Sequence, residues 1–427
     1  MKAPVLGLTP RAVNRVRFAA ILGVLGPGLV SGFADNDAGG ITTYSLAGSK
    51  FGYDLLWVLL ASQIVLFFTQ EVGARLGLAT GQGLAGLVRE KYGVRWAAFM
   101  TSTMLVANVG SIIAEFAGCS AALSLFGVPS WVSALLAATV VVLLLTRGNY
   151  SKVQYIFVAV GIGVSLAYFI SAVLAHPDWG RAASSLVIPQ LQTNAIYWLT
   201  VVGTVGTTIT PWGQAFIQSY VADKRLGPED LGGSRLDVGL GAFLTNLIAA
   251  FIVVACAAAV WSAGKSVNPG DPEAIKDIAQ ALQPLAGDAA YVLFAVGLLA
   301  ASFLGLGVVP LTSAYAACEA FGWETGVDWR VREAPAFYGL MIFFIASAAL
   351  VVLIVPLSGL VQVIFTAQVV NALLLPFVLV FVMRLSADKE LMGPLVSGRF
   401  LLGVGWLGTG LLILLSVTLA VTSFTGS

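Results

Sequence analysis

A membrane-length apolar segment that breaks at two carboxylates limits this chain more than any other feature. Residues 19–34 (AAILGVLGPGLVSGFA) have the composition of a membrane helix. Asp35-Asn36-Asp37-Ala38-Gly39-Gly40 then interrupts, and the apolar run resumes. A carboxylate at membrane depth is expensive, and such residues mark ion paths, proton relays or ligand counter-ions. A second interruption lies about halfway along, at Thr207-Thr208-Ile209-Thr210-Pro211-Trp212-Gly213-Gln214. Interrupted helices in corresponding places of two halves point to the binding site of a secondary transporter. The expectation is ion transport, with a cation held between the two breaks.

Composition fits such a frame. Of the 427 residues 58% are hydrophobic and only 10% charged, against roughly 25% charge in soluble domains. Backbone in lipid must satisfy its own hydrogen bonds, which in an apolar chain of this kind means helices. Apolar runs between polar punctuation give eleven spans, near 19–47 (broken), 53–70, 97–121, 130–146, 153–175, 196–220 (broken), 236–262, 288–317, 334–355, 358–384 and 400–422. The span from 288 is long enough to overrun the membrane or tilt. The basic start, MKAPVLGLTPRAVNRVRF, reads as the flank of a retained first helix rather than a signal peptide.

Charge tests the topology. With the N-terminus in the cytoplasm, the inner segments hold eighteen of the 22 basic residues, from Lys2, Arg11, Arg15 and Arg17 to Arg384, Lys389 and Arg399. The outer segments hold four, Lys50, Arg181, Lys265 and Lys276. This asymmetry obeys the positive-inside rule and would be scrambled by one span more or fewer. The expected fold is an all-α polytopic membrane protein of eleven helices. Two inverted five-helix repeats (LeuT-like), about 18–180 and 190–385, have broken first and sixth helices, and an extra helix covers 400–422. The whole chain, 1–427, is one transmembrane domain in the plasma (inner) membrane, with an extracytoplasmic C-terminus. The loop 263–287 carries a short surface helix over 273–284, patterned by Ile275, Ile278, Ala279 and Leu282.

Candidate ion-binding residues follow from the breaks. Asp37 is either a ligand or the N-cap of the second half-helix. Asp35 is either a second ligand or a carboxylate facing a water-filled vestibule. Gly39-Gly40 permits unwound backbone, whose carbonyls can ligate a cation. In the second break Thr210 suits an N-cap with Pro211 at the first helical position. The Thr207 carbonyl and the Thr210 hydroxyl can still face Asp37, and Gln214 can bind a water; Trp212 reads as packing. Span 3 places Asn108, Ser111 and Glu115 on one face. Glu115 points into the bundle, as part of the pathway or as a structural pair. Span 10 places Gln368 and Asn371 on one face, as pathway residues or polar glue between helices. Cys119, Cys256 and Cys318 lie far apart in apolar runs and suggest no disulfide or metal motif. No nucleophile–base set is visible, so an enzyme is not expected. The net charge of +1 carries no nucleic-acid footprint.

Several ordered stretches carry a family resemblance. They include Gly26-Pro27-Gly28, Asp37-Ala38-Gly39-Gly40, Leu56-Trp57-Val58-Leu59-Leu60, Ala74-Arg75-Leu76-Gly77, Ala114-Glu115, Pro177-Asp178-Trp179, Gln368-Val369-Val370 and Leu375-Pro376-Phe377. Together they resemble the NRAMP divalent-metal transporters. The resemblance implies that the family's metal-binding Asp falls on Asp37, whereas its Asn falls on Gly40 and is lost. The family's Met-Pro-His stretch falls on Thr210-Pro211-Trp212, a second histidine falls on Ile217, and a third-helix Asp falls on Ile112; Glu115 is kept.

Each departure has a chemical meaning. Without the thioether the site is one of oxygen donors, which suits Mg²⁺, Ca²⁺ or Mn²⁺ better than soft metals. A roomy site with one or two carboxylates suits a partly hydrated Mg²⁺. The pattern is similar to the NRAMP-related magnesium transporters. Ile112, Trp212 and Ile217 cannot carry protons, so uptake is expected to be driven by membrane potential rather than by protons. Two charges through about 100 mV supply about 4.6 kcal/mol. The expected metal-site residues are Asp37, Asp35, Thr207, Thr210, Gly40 and Gln214, with Glu115, Asn108, Gln368 and Asn371 along the pathway. The expected substrate is Mg²⁺, with Mn²⁺ also carried. The partners are that ion and the lipid bilayer, with no resident cofactor and no nucleic acid; the oligomeric state stays open, a monomer being compatible. Two alternatives stand beside this reading: a proton-coupled Mn²⁺/Fe²⁺ importer, and a cation-coupled amino-acid or amine symporter on the same architecture.

Overall fold

The computed structural model describes residues 26–146, 150–271, 273–326 and 331–425. The start of the first expected span lies outside them, as do Lys2, Arg11, Arg15, Arg17, Arg147 and Arg330 of the charge argument. The first half comprises α1 (Pro27–Ala34), α2 (Ala38–Phe51), α3 (Leu56–Thr80), α4 (Leu84–Tyr92), α5 (Val94–Ser124), α6 (Ser130–Thr146), α7 (Tyr150–Leu174) and α8 (Trp179–Val187). The second comprises α9 (Ala195–Thr208), α10 (Pro211–Asp223), α11 (Leu231–Cys256), α12 (Ala274–Ala279), α13 (Ala290–Phe321), α14 (Pro335–Ile354), α15 (Leu360–Ser386) and α16 (Arg399–Thr425).

Every expected span has a helix, or a pair of half-helices, at its place. Seven described helices are long and apolar enough to cross a membrane. The span expected to overrun is α13, with 32 residues and Pro310 inside it; at 1.5 Å per residue that is about 48 Å, well beyond a hydrocarbon core of about 30 Å. The extra helix α16 packs on α15 and α3 and turns Leu407, Leu411 and Leu414 outward, each more than half exposed, as a bilayer-facing surface does. The stretch expected as a surface helix is docked instead. Ile275, Ile278, Ala279 and Leu282 are all buried, and α12 packs against α13, because an apolar stripe on so short a helix has no other cover.

The two breaks place the site. Pairs α1/α2 and α9/α10 run through the middle of the bundle, with α3 and α11 beside them. Long helices α13 and α15 each pack on the long α5 around them. Close helix approach depends on glycines. A Cβ on Gly206 of α9 would lie 2.0 Å from the Gln368 carbonyl oxygen of α15, a distance no real Cβ tolerates.

A candidate ion site between two broken helices

The first break is shorter than the sequence suggests. Helix α1 ends with Asp35 as its C-cap, the Asp35 N–H donating to the Ser31 carbonyl at 2.8 Å. Asp37 is extended and caps α2, its Oδ1 accepting from the Gly40 N–H at 2.8 Å. The expected unwinding at Gly39-Gly40 is thus corrected: both glycines lie in the first turn of α2. Their role is clearance. A Cβ on Gly40 would lie 2.7 Å from the Asp35 carbonyl oxygen, and one on Gly39 would lie 2.0 Å from Gln368 Nε2 and 3.0 Å from Asp37 Oδ1. The Gln368 amide and the Asp37 carboxylate therefore face each other across a single methyl position.

The second break is equally tight. Helix α9 runs to Thr208, so Thr207 is helical, and only Ile209 and Thr210 lie between the half-helices. Pro211 begins α10 and has no N–H, so the Thr207 carbonyl has no i+4 donor to receive. The Thr207 hydroxyl is buried with no hydrogen-bond partner among the described residues. Thr210 caps α10, accepting from the Gly213 N–H at 3.1 Å. Its hydroxyl is also 3.4 Å from Asp35 Oδ1 as a donor. The Thr210 hydroxyl therefore joins the second break to Asp35 rather than to Asp37. A second tie crosses the breaks, Tyr44 Oη to Thr208 Oγ1 at 2.9 Å.

The site is sealed and rich in unused polar atoms. Asp35 and Asp37 are 1% and 2% exposed. Asp35 Oδ2, both amide atoms of Gln214 and Gln368 Nε2 have no hydrogen-bond partner among the described residues. Such atoms in a dry interior are costly unless an ion or water meets them. No group of three or more His, Cys, Asp or Glu gathers among the described residues, so a cation here needs neutral oxygens besides the carboxylates. The carbonyl ends of α1 and α9 supply the right sign of partial charge.

Glu115 and its neighbours form the wall on the α5 side. Glu115 Oε2 accepts from the Ala38 N–H at 3.3 Å, which places its carboxyl next to Asp37. Two neighbouring buried carboxyls are relieved by a proton or by a cation. Asn371 donates to Gln368 Oε1 and to Ser111 Oγ, both at 2.9 Å. Asn108 is further along α5, donating to Ser313 on α13 at 2.9 Å. Trp212, Ile217 and Ile112 are fully buried.

Two residues near the site are not among the sequence candidates. Asn36 lies between the acids, and its amide donates to the carbonyls of Gly32 at 3.3 Å and Thr245 at 3.4 Å. Asp237 of α11 accepts from backbone N–H groups at the start of α1. The signal for Asp237 is plain in the sequence, an acid within the apolar span 236–262. Asn36 has none beyond its place in the break.

Comparisons with known proteins agree with this architecture. The family model "Natural resistance-associated macrophage protein-like" matches residues 28–422. A divalent metal cation transporter MntH of Ralstonia nicotianae is 31% identical over 407 residues, covering 90% of this chain and 88% of that protein. Its counterpart from Deinococcus radiodurans is 29% identical over 421 residues, covering 95% and 90%. Among solved structures, the Eremococcus coleocola manganese transporter in complex with an aromatic bis-isothiourea compound superposes with a TM-score of 0.76 at 21% identity, over 98% of this chain and 88% of that one. MhsT in complex with L-phenylalanine gives 0.58 at 14% identity, over 94% and 98%. At those identities the two structures speak for the fold, which is the LeuT-like one. With the family model matching almost the whole of its length, this chain belongs to the natural resistance-associated macrophage protein-like (NRAMP) family of membrane transporters.

Proposed function

We propose that the chain carries a divalent metal cation across the membrane by alternating access, with the ion held between the breaks at Asp35–Asp37 and Ile209–Thr210. One observation carries this reading: two buried carboxylates stand at facing helix breaks, among side-chain hydroxyl and amide atoms that have no hydrogen-bond partner among the described residues. Asp37 and Asp35 supply the charge; the Thr207 carbonyl and the Gln214 amide oxygen complete the shell, and Gln368 lines the pathway beside Asp37. Thr210 acts through Asp35, orienting that carboxylate while capping α10. Gly40 contributes by having no side chain, which leaves the Asp35 carbonyl free. The relatives' names as divalent metal cation transporters support the substrate class.

Within that class, Mg²⁺ is the favoured ion, with Mn²⁺ also carried, because every donor at the site is oxygen or amide and none is sulfur. Uptake runs down the membrane potential without a proton, since Ile112, Trp212 and Ile217 offer no titratable group. The start of α1 and the segment 81–93, which holds α4, face the cytoplasm, following the basic residues. A second reading, proton-coupled Mn²⁺ transport, is favoured by one placement, that of the buried Glu115 carboxyl on the Ala38 N–H next to Asp37. Proteoliposomes containing a Mg²⁺ dye and a pH dye separate the two. Mg²⁺ uptake driven by a negative interior without acidification supports the first; acidification that tracks the metal supports the second. Mn²⁺ flux without Mg²⁺ flux would remove the Mg²⁺ preference.

The donor set also yields a specificity prediction. Thr210→Met puts a thioether beside Asp35 and should raise affinity for Cd²⁺ relative to Mg²⁺, measured by competition against Mn²⁺ uptake. Losing the Thr210 cap costs about 1 kcal/mol, too little to unfold the bundle. An unchanged Cd²⁺/Mg²⁺ ratio would confine Thr210 to its cap.

A further inference from the structure

The start of α1 is held by a side chain more than two hundred residues away. Asp237 of α11, 1% exposed, accepts from the N–H groups of Gly26 at 2.9 Å, Gly28 at 2.5 Å and Leu29 at 3.2 Å. No side chain of α1 itself caps that end, so the carboxylate from α11 takes the orphan donors and the positive end of the helix. Lys224, at the end of α10, adds its charge beside the same carboxylate.

The contact continues along a four-residue repeat on α11. Gly241 meets α1 backbone to backbone: a Cβ on it would lie 2.1 Å from the Gly28 carbonyl oxygen, and one on Gly32 would lie 2.6 Å from the Gly241 carbonyl oxygen. One turn further, Thr245 Oγ1 donates to the Gly32 carbonyl at 2.5 Å. Asp237, Gly241 and Thr245 thus form one stripe, and α1 lies along it. The far end of α1 is Asp35, whose carboxylate reaches Thr210. Moving the start of an eight-residue helix moves its end.

We infer that Asp237 is the lock that keeps α1 closed against α11, and is therefore a positioning residue for Asp35. With the lock made, α1 seals the ion site on the side where the chain begins. With it broken, that side opens and Asp35 leaves Thr210. The inference rests on the transport reading above and on the proposed orientation for naming that side the cytoplasm. It assigns Asp237 no contact with the ion.

The test uses two isosteric changes that leave the packing in place, Asp237→Asn and Thr245→Val, in a background in which the three native cysteines are replaced by serine and Ser31 by cysteine. Reconstituted protein is labelled with a membrane-impermeant maleimide from each side. A second background with Glu90→Cys, an exposed position in the last turn of α4, reports which face is which. Asp237→Asn should raise labelling at position 31 from the face that labels position 90 by ~10-fold, and should weaken apparent metal affinity from the opposite face by a similar factor. Thr245→Val should act in the same direction and less strongly. Elution as a monodisperse peak with an unshifted melt excludes unfolding. Parental labelling and affinity in both variants would overturn the lock. So would lost uptake without a change in labelling, which is what a merely structural residue gives. Labelling of position 90 from the outer face would refute the orientation while leaving the lock to be read from the sidedness of position 31.

Discussion

Asp37→Ala is expected to abolish metal uptake, by about 100-fold or more, while the protein still folds. The magnitude follows from what Asp37 supplies: a buried carboxylate at the break, facing Gln368 and next to Glu115. Changing even a residue one shell away from a metal costs ~10–100-fold, and a charged ligand in a dry site is worth more. Folding survives because the alanine forfeits one N-cap on α2, about 1 kcal/mol, and relieves Glu115 of a carboxyl neighbour. Asp37→Asn sharpens the test. Asparagine keeps the cap to Gly40 but not the charge, so uptake lost in both variants assigns the loss to the ion. Uptake kept in Asp37→Asn and lost in Asp37→Ala would reduce Asp37 to a cap. Flux into proteoliposomes, with binding measured on the purified protein, distinguishes the outcomes.

Gly206→Val is expected to be the most damaging single change outside the carboxylates. A Cβ at Gly206 would stand 2.0 Å from the Gln368 carbonyl oxygen, 2.7 Å from the Ala372 nitrogen and 2.9 Å from the Ala372 Cβ. Those atoms are mostly backbone of α15, so relief requires the whole helix to move. Overpacking of this kind costs about 1–3 kcal/mol, and more where nothing can yield. The same displacement carries Gln368 away from Gly39 and Asp37, so uptake should fall along with the melting temperature. Gly410→Ala is the matched control: nothing lies within 4 Å of its added methyl, and its effect should stay within about 0.5 kcal/mol. A Gly206→Val protein with parental melting and uptake would contradict the close packing of α9 on α15.

The two variants also separate the kinds of information in this chain. Asp37 announces itself in the sequence, because a carboxylate inside an apolar run has few explanations. Gly206 does not; one glycine in AIYWLTVVGTVGTT looks like its neighbours until α15 is laid against it.

The sequence by itself determined the membrane frame and the sites of the breaks. Hydrocarbon leaves backbone few options, and each expected span has its helix in the structure. Asp35–Asp37 and Thr210-Pro211 were legible as interruptions, since caps and proline act within a few residues of where they are written. The tertiary structure alone decided how the breaks are used. It wound Gly39 and Gly40 into helix, because their N–H groups gain the Asp37 cap and their missing side chains admit Gln368 and the Asp35 carbonyl. It gave the Thr210 hydroxyl to Asp35, set Glu115 against Asp37, and brought Asp237 to the start of α1 across some two hundred residues. Contacts of that reach depend on how helices lie against one another, and helix periodicity fixes a face without naming its partner.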